Sequence, residues 1–441
     1  MGQLLTGSDD GLVTVVSGIP VRVEEFLGGG GQGEVYRASA GGTTVALKWY
    51  FPDSATPEQR DTVTSLVHQG APSAAFVWPT DLVTSASSDG FGYVMPLRDD
   101  RLKGIVDLVK GRVRPRFSVL VRSCYLLASE FFELHAHGLC YRDISFGNVF
   151  FDPNTGDISI VDNDNVIVNN SSRLGVLGTP RFMAPEVVRG EAGPSADTDL
   201  YSLAVLMFYM LMIHHPLEGM RESAIHALDL SAMNQLYGLT PLFIFDPDDP
   251  SNRPDPIYHS NVLSLWPLYP QFLRDLFEQS FTVGLRDPHG RVTETEWRRA
   301  LLRTFDSIAI CGICGTENFY DLDRLRASAG VPPACWGCGT KTVFPPRLRI
   351  GSNIVVLNVD TRLYRHHLDP AHLFDLSDPV AEVSRHPTSP DIWGLKNLSP
   401  TQWVMIAANG TVREVGQGRS AQIADGTRIN FGTCQGEIRV N

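Results

Sequence analysis

Short hydrophobic runs alternate with polar residues and glycine in the first part of the chain. Across residues 12–50 these runs are rich in β-forming residues, a pattern typical of antiparallel hairpins. A short helix is predicted to begin at Pro57, because proline is favoured in the first helical turn. Two further strands are predicted in the stretches "AFVWPTDLV" and "GFGYVMPL". The pattern therefore indicates a small sheet with one helix.

The pattern changes to helical spacing after residue 117. Apolar residues recur with a helical period from Ser118 to His137, and Gly138 supplies a stop. The run "LYSLAVLMFYMLMI", Leu200–Ile213, is apolar on nearly every face, which predicts a helix in the middle of a helical lobe. Further helices are expected to about Phe305.

A third pattern begins after residue 305. Cysteine, glycine and proline are frequent at first, and from about Leu348 short β-type runs are separated by turn signals such as "ANGT" and "ADGT". We therefore expect an α+β multidomain protein whose last part is all-β. At 441 residues the chain is long enough for two or three domains.

Composition narrows the class of protein. The chain is 43% hydrophobic and 20% charged, as in soluble globular proteins, and its net charge of −12 makes nucleic acid an unexpected partner. No apolar run reaches the length of a membrane span, and no basic-then-apolar leader is seen. Seven cysteines, an odd number that includes two close pairs, favour a reducing cytoplasm and a bound metal over disulfides.

Glycines in "LGGGGQGEVY" have a spacing that suits phosphate binding. Gly28, Gly30 and Gly33 follow G-x-G-x-x-G, with Val35 two residues later, and such glycines let backbone amides approach a phosphate. A glycine-rich hairpin turn is the alternative. Lys48 follows inside the apolar strand "VALKWY", where an ammonium is costly to bury unless an anion receives it.

Two later segments carry carboxylates and an amide in a suggestive order. "YRDISFGNVF" contains Asp143 and Asn148, and "IVDNDN" contains Asp162. A carboxylate beside a hydroxyl nucleophile, with oxygen ligands for magnesium, is what phosphoryl transfer requires. Each acid taken alone fits an ordinary polar loop.

Taken together, these motifs resemble those of eukaryotic-type Ser/Thr protein kinases over roughly residues 22–305, in a divergent form that looks bacterial. The resemblance implies a two-lobed fold, ATP and Mg²⁺ (or Mn²⁺) as cofactors, Asp143 as the catalytic aspartate, and Asn148 and Asp162 as metal ligands. Lys48 and the glycine loop would hold the phosphates, while Met95, Pro96 and Leu97 would join the lobes and contact adenine. "GTPRFMAPE" resembles the end of an activation segment, and three structural residues are implied: Glu186, Asp199 and Arg291.

Four departures from the family pattern affect the expectations. "DND" replaces D-F-G, so that Asn163 stands for phenylalanine and Asp164 for glycine. We favour a solvated turn acid for Asp164 over an extra metal or substrate contact. Tyr141 replaces the usual histidine, so the apolar stack between the lobes must be built differently, and Ser145 replaces a lysine, so another cation must face the phosphate.

Two further assignments follow from the resemblance. The acid that pairs with Lys48 is assigned to Glu58, the nearest helix carboxylate besides Asp61. Arg142 suggests a contact with a phosphorylated activation segment. The candidate phosphorylation sites are Ser171, Ser172 and Thr179, although Thr179 is interpreted more readily as a substrate-positioning residue.

Two C-x-x-C pairs predict a structural zinc site. Cysteines at this spacing, each pair followed by glycine, present four thiolates to one tetrahedral ion, as in a zinc ribbon: Cys311, Cys314, Cys335 and Cys338. Redox dithiols are the alternative. The tail resembles a divergent forkhead-associated β-sandwich, and "VSR", Val383–Arg385, matches part of that family's phosphate-reading loop.

The predicted organisation has four parts: residues 1–97 and 98–305 form the kinase lobes, 306–345 a zinc ribbon and 346–441 a β-sandwich. The predicted function is Ser/Thr protein kinase with two targeting modules. A pseudokinase scaffold and a small-molecule kinase are the alternatives, and the "GTPRFMAPE" platform argues against the second. Protein substrates are expected, and the resemblance adds a phosphatase and a von Willebrand A-type protein as partners.

Overall fold

The computed structural model describes residues 4–5, 11–87, 89–169, 178–359, 361–386 and 388–440. The chain divides into two compact units, each formed by several segments. The first comprises residues 1–115, 123–262 and 277–295, and the second comprises residues 116–122, 263–276 and 296–441. The boundaries that we predicted at residues 97, 305 and 345 stay predictions, since the units are not consecutive stretches of chain.

The described part of the first unit contains eleven short strands: β1 (Leu12–Thr14), β2 (Val21–Gly29), β3 (Gly33–Ala40), β4 (Thr43–Tyr50), β5 (Asp81–Ser85), β6 (Phe91–Pro96), β7 (Lys103–Gly104), β8 (Leu139–Cys140), β9 (Val149–Phe151), β10 (Ile158–Ile160) and β11 (Ile167–Val168). Six of them form an antiparallel sheet in the order β1-β5-β6-β4-β3-β2. The central position of β4 fixes Lys48 opposite Tyr93 of β6.

The α-helices among the described residues are α1 (Pro57–Gln69), α2 (Ile105–Val109), α3 (Phe117–Ala136), α4 (Pro185–Val188), α5 (Ala196–Met212), α6 (Met220–Ser223), α7 (Leu230–Met233), α8 (Ser260–Leu265), α9 (Gln271–Phe281), α10 (Val283–Arg286), α11 (Glu294–Asp306), α12 (Leu322–Ala327) and α13 (Arg365–Leu368). Within the described ranges, no helix is both long enough and apolar enough to cross a membrane.

Local sequence explains the ends of the main helices. Helix α1 begins at Pro57 as predicted, and the hydroxyl of Thr56 accepts a hydrogen bond from the amide of Gln59, which satisfies an otherwise free donor. Helix α5 begins with a reciprocal cap between Ser195 and Thr198. Its residues from Tyr201 onward are all buried, as the apolar run predicted.

Three ion pairs, one of Arg291 and two of His135, fix the helical part of the first unit. Arg291 is almost fully buried, and its guanidinium donates to the carboxylate of Glu186 at 2.8 Å and to the carbonyls of Gly284 and Asp197. His135 of α3 lies between the carboxylates of Glu294 and Asp199. The pair of His135 and Asp199 matters for the site, because Asp199 also accepts hydrogen bonds from two backbone amides that precede Asp143.

The second unit is rich in sheet. Its strands are β12 (Ile308–Ile310), β13 (Glu317–Phe319), β14 (Arg347–Ile350), β15 (Asn353–Val356), β16 (Arg362–Tyr364), β17 (Pro379–His386), β18 (Ser389–Asn397), β19 (Trp403–Ile406), β20 (Val412–Val415), β21 (Ser420–Gln422), β22 (Arg428–Asn430) and β23 (Gln435–Arg439). One sheet has the order β15-β14-β23-β22-β19-β20 and another the order β16-β17-β18-β21. Both contribute to one core that includes Leu348, Leu395 and Trp403. The tail is therefore rich in sheet as predicted, although the short helix α13 means that it is not all-β.

The segment Val383–Arg385 differs from the expected loop. It lies within β17, where Ser384 and Arg385 pair with Gly394 and Trp393 of β18. The guanidinium of Arg385 stands 5.4 Å from the centre of the Trp393 ring. Strand pairing therefore fixes this segment, and it does not form the phosphate-reading loop that its letters suggested.

The buried His135 predicts a pH-dependent stability. Burial alone would lower its pKa, but the hydrogen bonds to Asp199 and Glu294 raise the pKa to about 9. A raised pKa in the folded state stabilises the fold fully below the ordinary pKa of about 6.5, and this stabilisation is lost as the pH rises through about 9. His135→Gln should therefore cost about 3 kcal/mol at pH 6 and much less at pH 10.

Thermal unfolding of the natural chain and of His135→Gln between pH 6 and pH 10 measures this pH-dependent loss of stability. His289→Gln, which changes an exposed histidine, serves as the matched control and should leave the unfolding midpoint unchanged. An equal loss of stability at every pH would show that a protonated His135 is not what stabilises the fold.

Candidate active site

One cavity of the first unit brings together the residues that the sequence singled out. Its volume is about 720 Å³, and its walls come from the glycine-rich hairpin, β4, the end of β6 and the segments around Asp143 and Asp162. All the predicted catalytic and cofactor-binding residues line it: Gly28, Gly30, Gly33, Val35, Lys48, Met95, Pro96, Leu97, Asp143, Asn148 and Asp162. Residues far apart in the chain thus face one space.

Packing of the protein requires glycine at one position of the β2–β3 hairpin and leaves open space at two others. A Cβ on Gly33 would collide with the carbonyl of Trp49, so the neighbouring strand requires glycine there. A Cβ on Gly28 or Gly30 would meet nothing within 4 Å. Because protein packing does not explain these two, their small size leaves room for a ligand above the hairpin.

Lys48 is buried and surrounded by acceptors. Its Nζ donates to Oδ1 of Asp162 at 2.6 Å and to both carboxylate oxygens of Asp164 at 2.8 and 2.9 Å. Burial alone would lower the pKa of Lys48, but the two carboxylates raise it above its ordinary value. The ammonium therefore stays charged at the edge of the cavity.

Asp164 is not the solvated turn acid that we predicted. Its side chain is completely buried, and it accepts hydrogen bonds from the hydroxyls of Tyr50 and Tyr93 in addition to Lys48. Burial would raise its pKa, but Lys48 and the two hydroxyls hold the pKa below the usual range. The acid that pairs with Lys48 is therefore in the D-N-D turn.

Glu58 does not have the place that we assigned to it. It lies at the exposed start of α1, and the described partners of Lys48 are Asp162, Asp164 and Gln32. Helix α1 reaches the lysine's surroundings through a neutral residue, Gln59, whose Nε2 donates to the Tyr50 hydroxyl at 3.0 Å. Thr56 and Pro57 beside it are also exposed, so the acid in the first turn of α1 faces solvent.

A signal for this arrangement existed in the strand pattern. Lys48 and Tyr50 are two residues apart and share one face of β4, while Tyr93 stands opposite Lys48 on β6. Two phenol hydroxyls on the face of a buried lysine indicate a further acceptor between them. Nothing in the local sequence identified that acceptor as Asp164.

Asp162 has a different environment from Asp164. Its backbone is left-handed, with φ of 60°, and its side chain is about one-third exposed toward the cavity. Burial and the neighbouring Asp164 carboxylate raise the pKa of Asp162. One carboxylate of the D-N-D turn is thus turned toward the cavity, and the other is turned into the protein.

Asn163 and Tyr141 show how the apolar stack is rebuilt. Asn163 is fully buried and donates to the carbonyls of Val77 at 2.8 Å and Ile160 at 2.9 Å. The Tyr141 hydroxyl donates to the carbonyl of Val161. Tyr141 also packs against Phe131, which contacts Phe76. Hydrogen bonds to backbone therefore supplement aromatic packing around the turn.

Asp143 and Asn148 are held together by hydrogen bonds. Nδ2 of Asn148 donates to the Asp143 carbonyl at 2.8 Å and to Oδ2 of the Asp143 carboxylate at 3.0 Å. The other carboxylate oxygen accepts a hydrogen bond from the hydroxyl of Thr179 at 2.9 Å. The carboxylate is thus already oriented toward a hydroxyl group. The other two candidate phosphorylation sites, Ser171 and Ser172, lie outside the described residues.

The position that lacks the expected lysine is occupied by a buried serine. Ser145 has only 8% of its surface exposed. The cations that line the cavity with Lys48 are Arg37 and Arg98. Arg98 lies over the ring of Phe150, 4.1 Å from its centre, and Arg37 contacts Glu25 at 3.4 Å. Of these three cations, Lys48 is the one with described contacts to Asp162 and Asp164.

The four paired cysteines form a separate cluster in the second unit. Their sulfur atoms all lie within 4.8 Å of one another. Burial would raise the pKa of the Cys335 thiol, but hydrogen bonds from the Asn318 side chain and from the amides of Cys338 and Gly337 lower it to about 6. Four convergent sulfurs, of which that of Cys335 has stabilised thiolate character, are a donor set that suits a tetrahedral Zn²⁺ ion.

Part of the chain is similar to known protein kinases. Residues 120–296 match the family model described as "Protein kinase domain". The DNA damage-responsive serine/threonine-protein kinase RqkA of Deinococcus radiodurans is 32% identical over 218 residues, which cover 45% of this chain and 31% of that protein.

Two fungal kinases are also similar. The cell cycle serine/threonine-protein kinase CDC5/MSD2 of Saccharomyces cerevisiae is 28% identical over 161 residues, covering 35% of this chain and 21% of that protein. The serine/threonine-protein kinase shk2 of Schizosaccharomyces pombe is 34% identical over 119 residues, covering 26% of this chain and 19% of that protein. The chain spans less than a third of the length of each of these three relatives.

Two substitutions of the buried Asn163 are predicted to lower the stability of the fold by different amounts. Asn163→Asp replaces a donor with an acceptor that faces two carbonyls, and should cost about 3 kcal/mol or more. Asn163→Leu removes the donor without adding charge and should cost about 1–3 kcal/mol. Urea unfolding measures both losses, and Asn409→Asp on an exposed turn is the matched control. Equal stability of Asn163→Asp and the natural protein would contradict the role of these hydrogen bonds.

Proposed function

We propose that this chain, which contains a protein kinase domain of the serine/threonine class, is an ATP- and magnesium-dependent kinase that phosphorylates protein hydroxyls. The observation that carries the proposal is the cavity in which Lys48, Asp143, Asn148 and Asp162 meet below a glycine-rich hairpin. Phosphoryl transfer depends mainly on positioning and charge stabilisation, and this set of groups supplies both.

Each group has a proposed task. Amides of the glycine loop and the ammonium of Lys48 hold the phosphates of ATP, and Met95, Pro96 and Leu97 form the adenine side of the cavity. Asn148 and Asp162 offer the oxygen ligands that Mg²⁺ prefers, or Mn²⁺ in its place. An ion held by these two residues would neutralise charge on the phosphates.

Asp143 orients the substrate hydroxyl and accepts its proton. Its carboxylate already accepts a hydrogen bond from the Thr179 hydroxyl at 2.9 Å, which supports an orientation suited to hydroxyl groups. This contact also favours Thr179 as a substrate-positioning residue over a phosphorylation site. The pair of Glu186 and Arg291 anchors the end of the same segment, which favours a protein substrate over a small molecule.

The alternative is a pseudokinase scaffold that binds nucleotide without efficient transfer. It draws support from Ser145, because that position lacks the lysine that would face the transferring phosphate. We propose that Lys48, together with a metal ion that Asn148 and Asp162 would hold, supplies enough positive charge for transfer.

Incubation of the purified chain with labelled ATP and Mg²⁺ or Mn²⁺, with and without a general acceptor protein, tests the proposal. Label on serine or threonine is expected, and Asp143→Asn and Asp162→Asn should each reduce transfer by about 100-fold or more. Asp53→Asn, in an exposed turn, is the matched control and should retain full activity. Nucleotide binding with no transfer under either metal would favour the scaffold.

We also propose that the four paired cysteines hold a structural Zn²⁺ ion in a ribbon-like module. Metal analysis should find about one zinc per chain, and Cys335→Ser should lose both the zinc and several degrees of thermal stability. Cys434→Ser, outside the cluster, is the control and should keep the metal. A zinc-free chain whose cysteine pairs oxidise reversibly would favour the redox alternative.

The sheet-rich tail is proposed to be a forkhead-associated-like sandwich with a targeting role. Two antiparallel sheets around one core support this fold. The placement of Arg385 within a strand weakens the case for phosphopeptide binding at that point. A cytoplasmic location and association with a phosphatase and a von Willebrand A-type protein remain proposals that rest on the family resemblance.

A further inference from the structure

We propose that Asp164 is the carboxylate that positions Lys48 toward the phosphates of the nucleotide, and that helix α1 has no charged part in this task. The inference rests on the proposed nucleotide-binding function of the cavity. It assigns a positioning role to a residue of the D-N-D turn that the motif alone did not explain.

The contacts of Asp164 are those of a fixed anchor. Lys48 donates to both carboxylate oxygens, Tyr50 donates to one of them and Tyr93 to the other, and the side chain has no exposed surface. A carboxylate with all its neighbours donating hydrogen bonds has one favourable orientation. Lys48 is thereby held at a defined place in the cavity wall.

The two acids of the D-N-D turn have different proposed roles. Asp162 contacts Lys48 through one oxygen, and its side chain is about one-third exposed to the cavity, where it is proposed to meet the metal ion. Asp164 is turned away from the cavity and contacts Lys48 through two oxygens. The lysine therefore keeps a partner when Asp162 is engaged with metal.

Helix α1 approaches this network only with a neutral side chain among its described contacts. Gln59 donates to the Tyr50 hydroxyl at 3.0 Å and to the Asp164 carbonyl at 3.4 Å. Glu58 and Asp61 are both exposed. A shift of α1 would leave the charge pair between Lys48 and Asp164 intact, since both residues lie outside the helix.

The turn itself is fixed independently of α1. Asn163, between the two acids, donates to the carbonyls of Val77 and Ile160. The metal ligand and the lysine anchor therefore sit on one short segment held to the protein backbone. We infer that the phosphate-binding arrangement forms together with this turn and does not wait for a movement of α1.

Binding experiments with two ligands test the role of Asp164. Asp164→Asn keeps the shape and removes the charge, so affinity for a non-hydrolysable ATP analogue with Mg²⁺ should fall about tenfold. Affinity for adenosine, which has no phosphates, should stay within about twofold. Asp61→Asn, the same substitution on α1, is the matched control and should change neither affinity.

Three outcomes would overturn the proposal: an unchanged affinity of Asp164→Asn for the ATP analogue, an equal loss for adenosine, or the same selective loss in Glu58→Gln. If Asp164→Asn does not fold, Tyr93→Phe removes one hydroxyl donor from the anchor and keeps the ring. Tyr93→Phe should lower the affinity for the ATP analogue about threefold and leave the affinity for adenosine unchanged. If it does not, Asp164 is not the anchor of Lys48.

Transfer assays separate this inference from the proposed function. With an active natural chain, Asp164→Asn should lower the rate of phosphate transfer by about 100-fold, because the misplaced lysine no longer stabilises the transferring group. A natural chain that transfers no phosphate would reject the kinase activity. The selective loss of phosphate affinity would then still decide whether Asp164 anchors Lys48.

Discussion

A buried ammonium beside a buried carboxylate is the interaction on which this protein's cavity depends. Lys48 and Asp164 are both removed from water, and either charge left alone there would be strongly unfavourable. Two tyrosine hydroxyls complete the carboxylate's hydrogen bonds. Strands β4 and β6 and the D-N-D turn are consequently held in one arrangement, because moving any of them would separate the charges.

A second buried charge system supports the opposite wall of the cavity. Asp199 accepts hydrogen bonds from the amides of Tyr141 and Arg142, directly before Asp143, and its carboxylate is shared with His135. The other ring nitrogen of His135, Nδ1, forms a hydrogen bond with the Glu294 carboxylate. A protonated histidine between two acids links α3, α5 and α11 to the loop that carries Asp143. The positions of the reacting groups thus depend on helices that do not line the cavity.

Much of the fold and of the candidate site was predictable from local patterns. Helix α1 begins at Pro57, α5 is buried as its apolar run required, and the tail is rich in strands, with the short helix α13 as an exception. The glycines, Lys48, Asp143, Asn148 and Asp162 line one cavity, because motif residues at fixed spacing occupy equivalent places on strands and loops. The four cysteines converge for the same reason, since each pair occupies one tight turn.

The sequence by itself determined the order of elements and the identity of the chemical groups, because periodicity, capping and turn residues act over a few neighbours. Only the tertiary structure decided the partner of Lys48. Asp164 is 116 residues away and lies in a short polar turn whose letters do not reveal which side chain is buried. Strand pairing likewise placed Arg385 in β17. Burial and long-range pairing arise from the packing of distant segments, and no local pattern encodes which carboxylate that packing excludes from water.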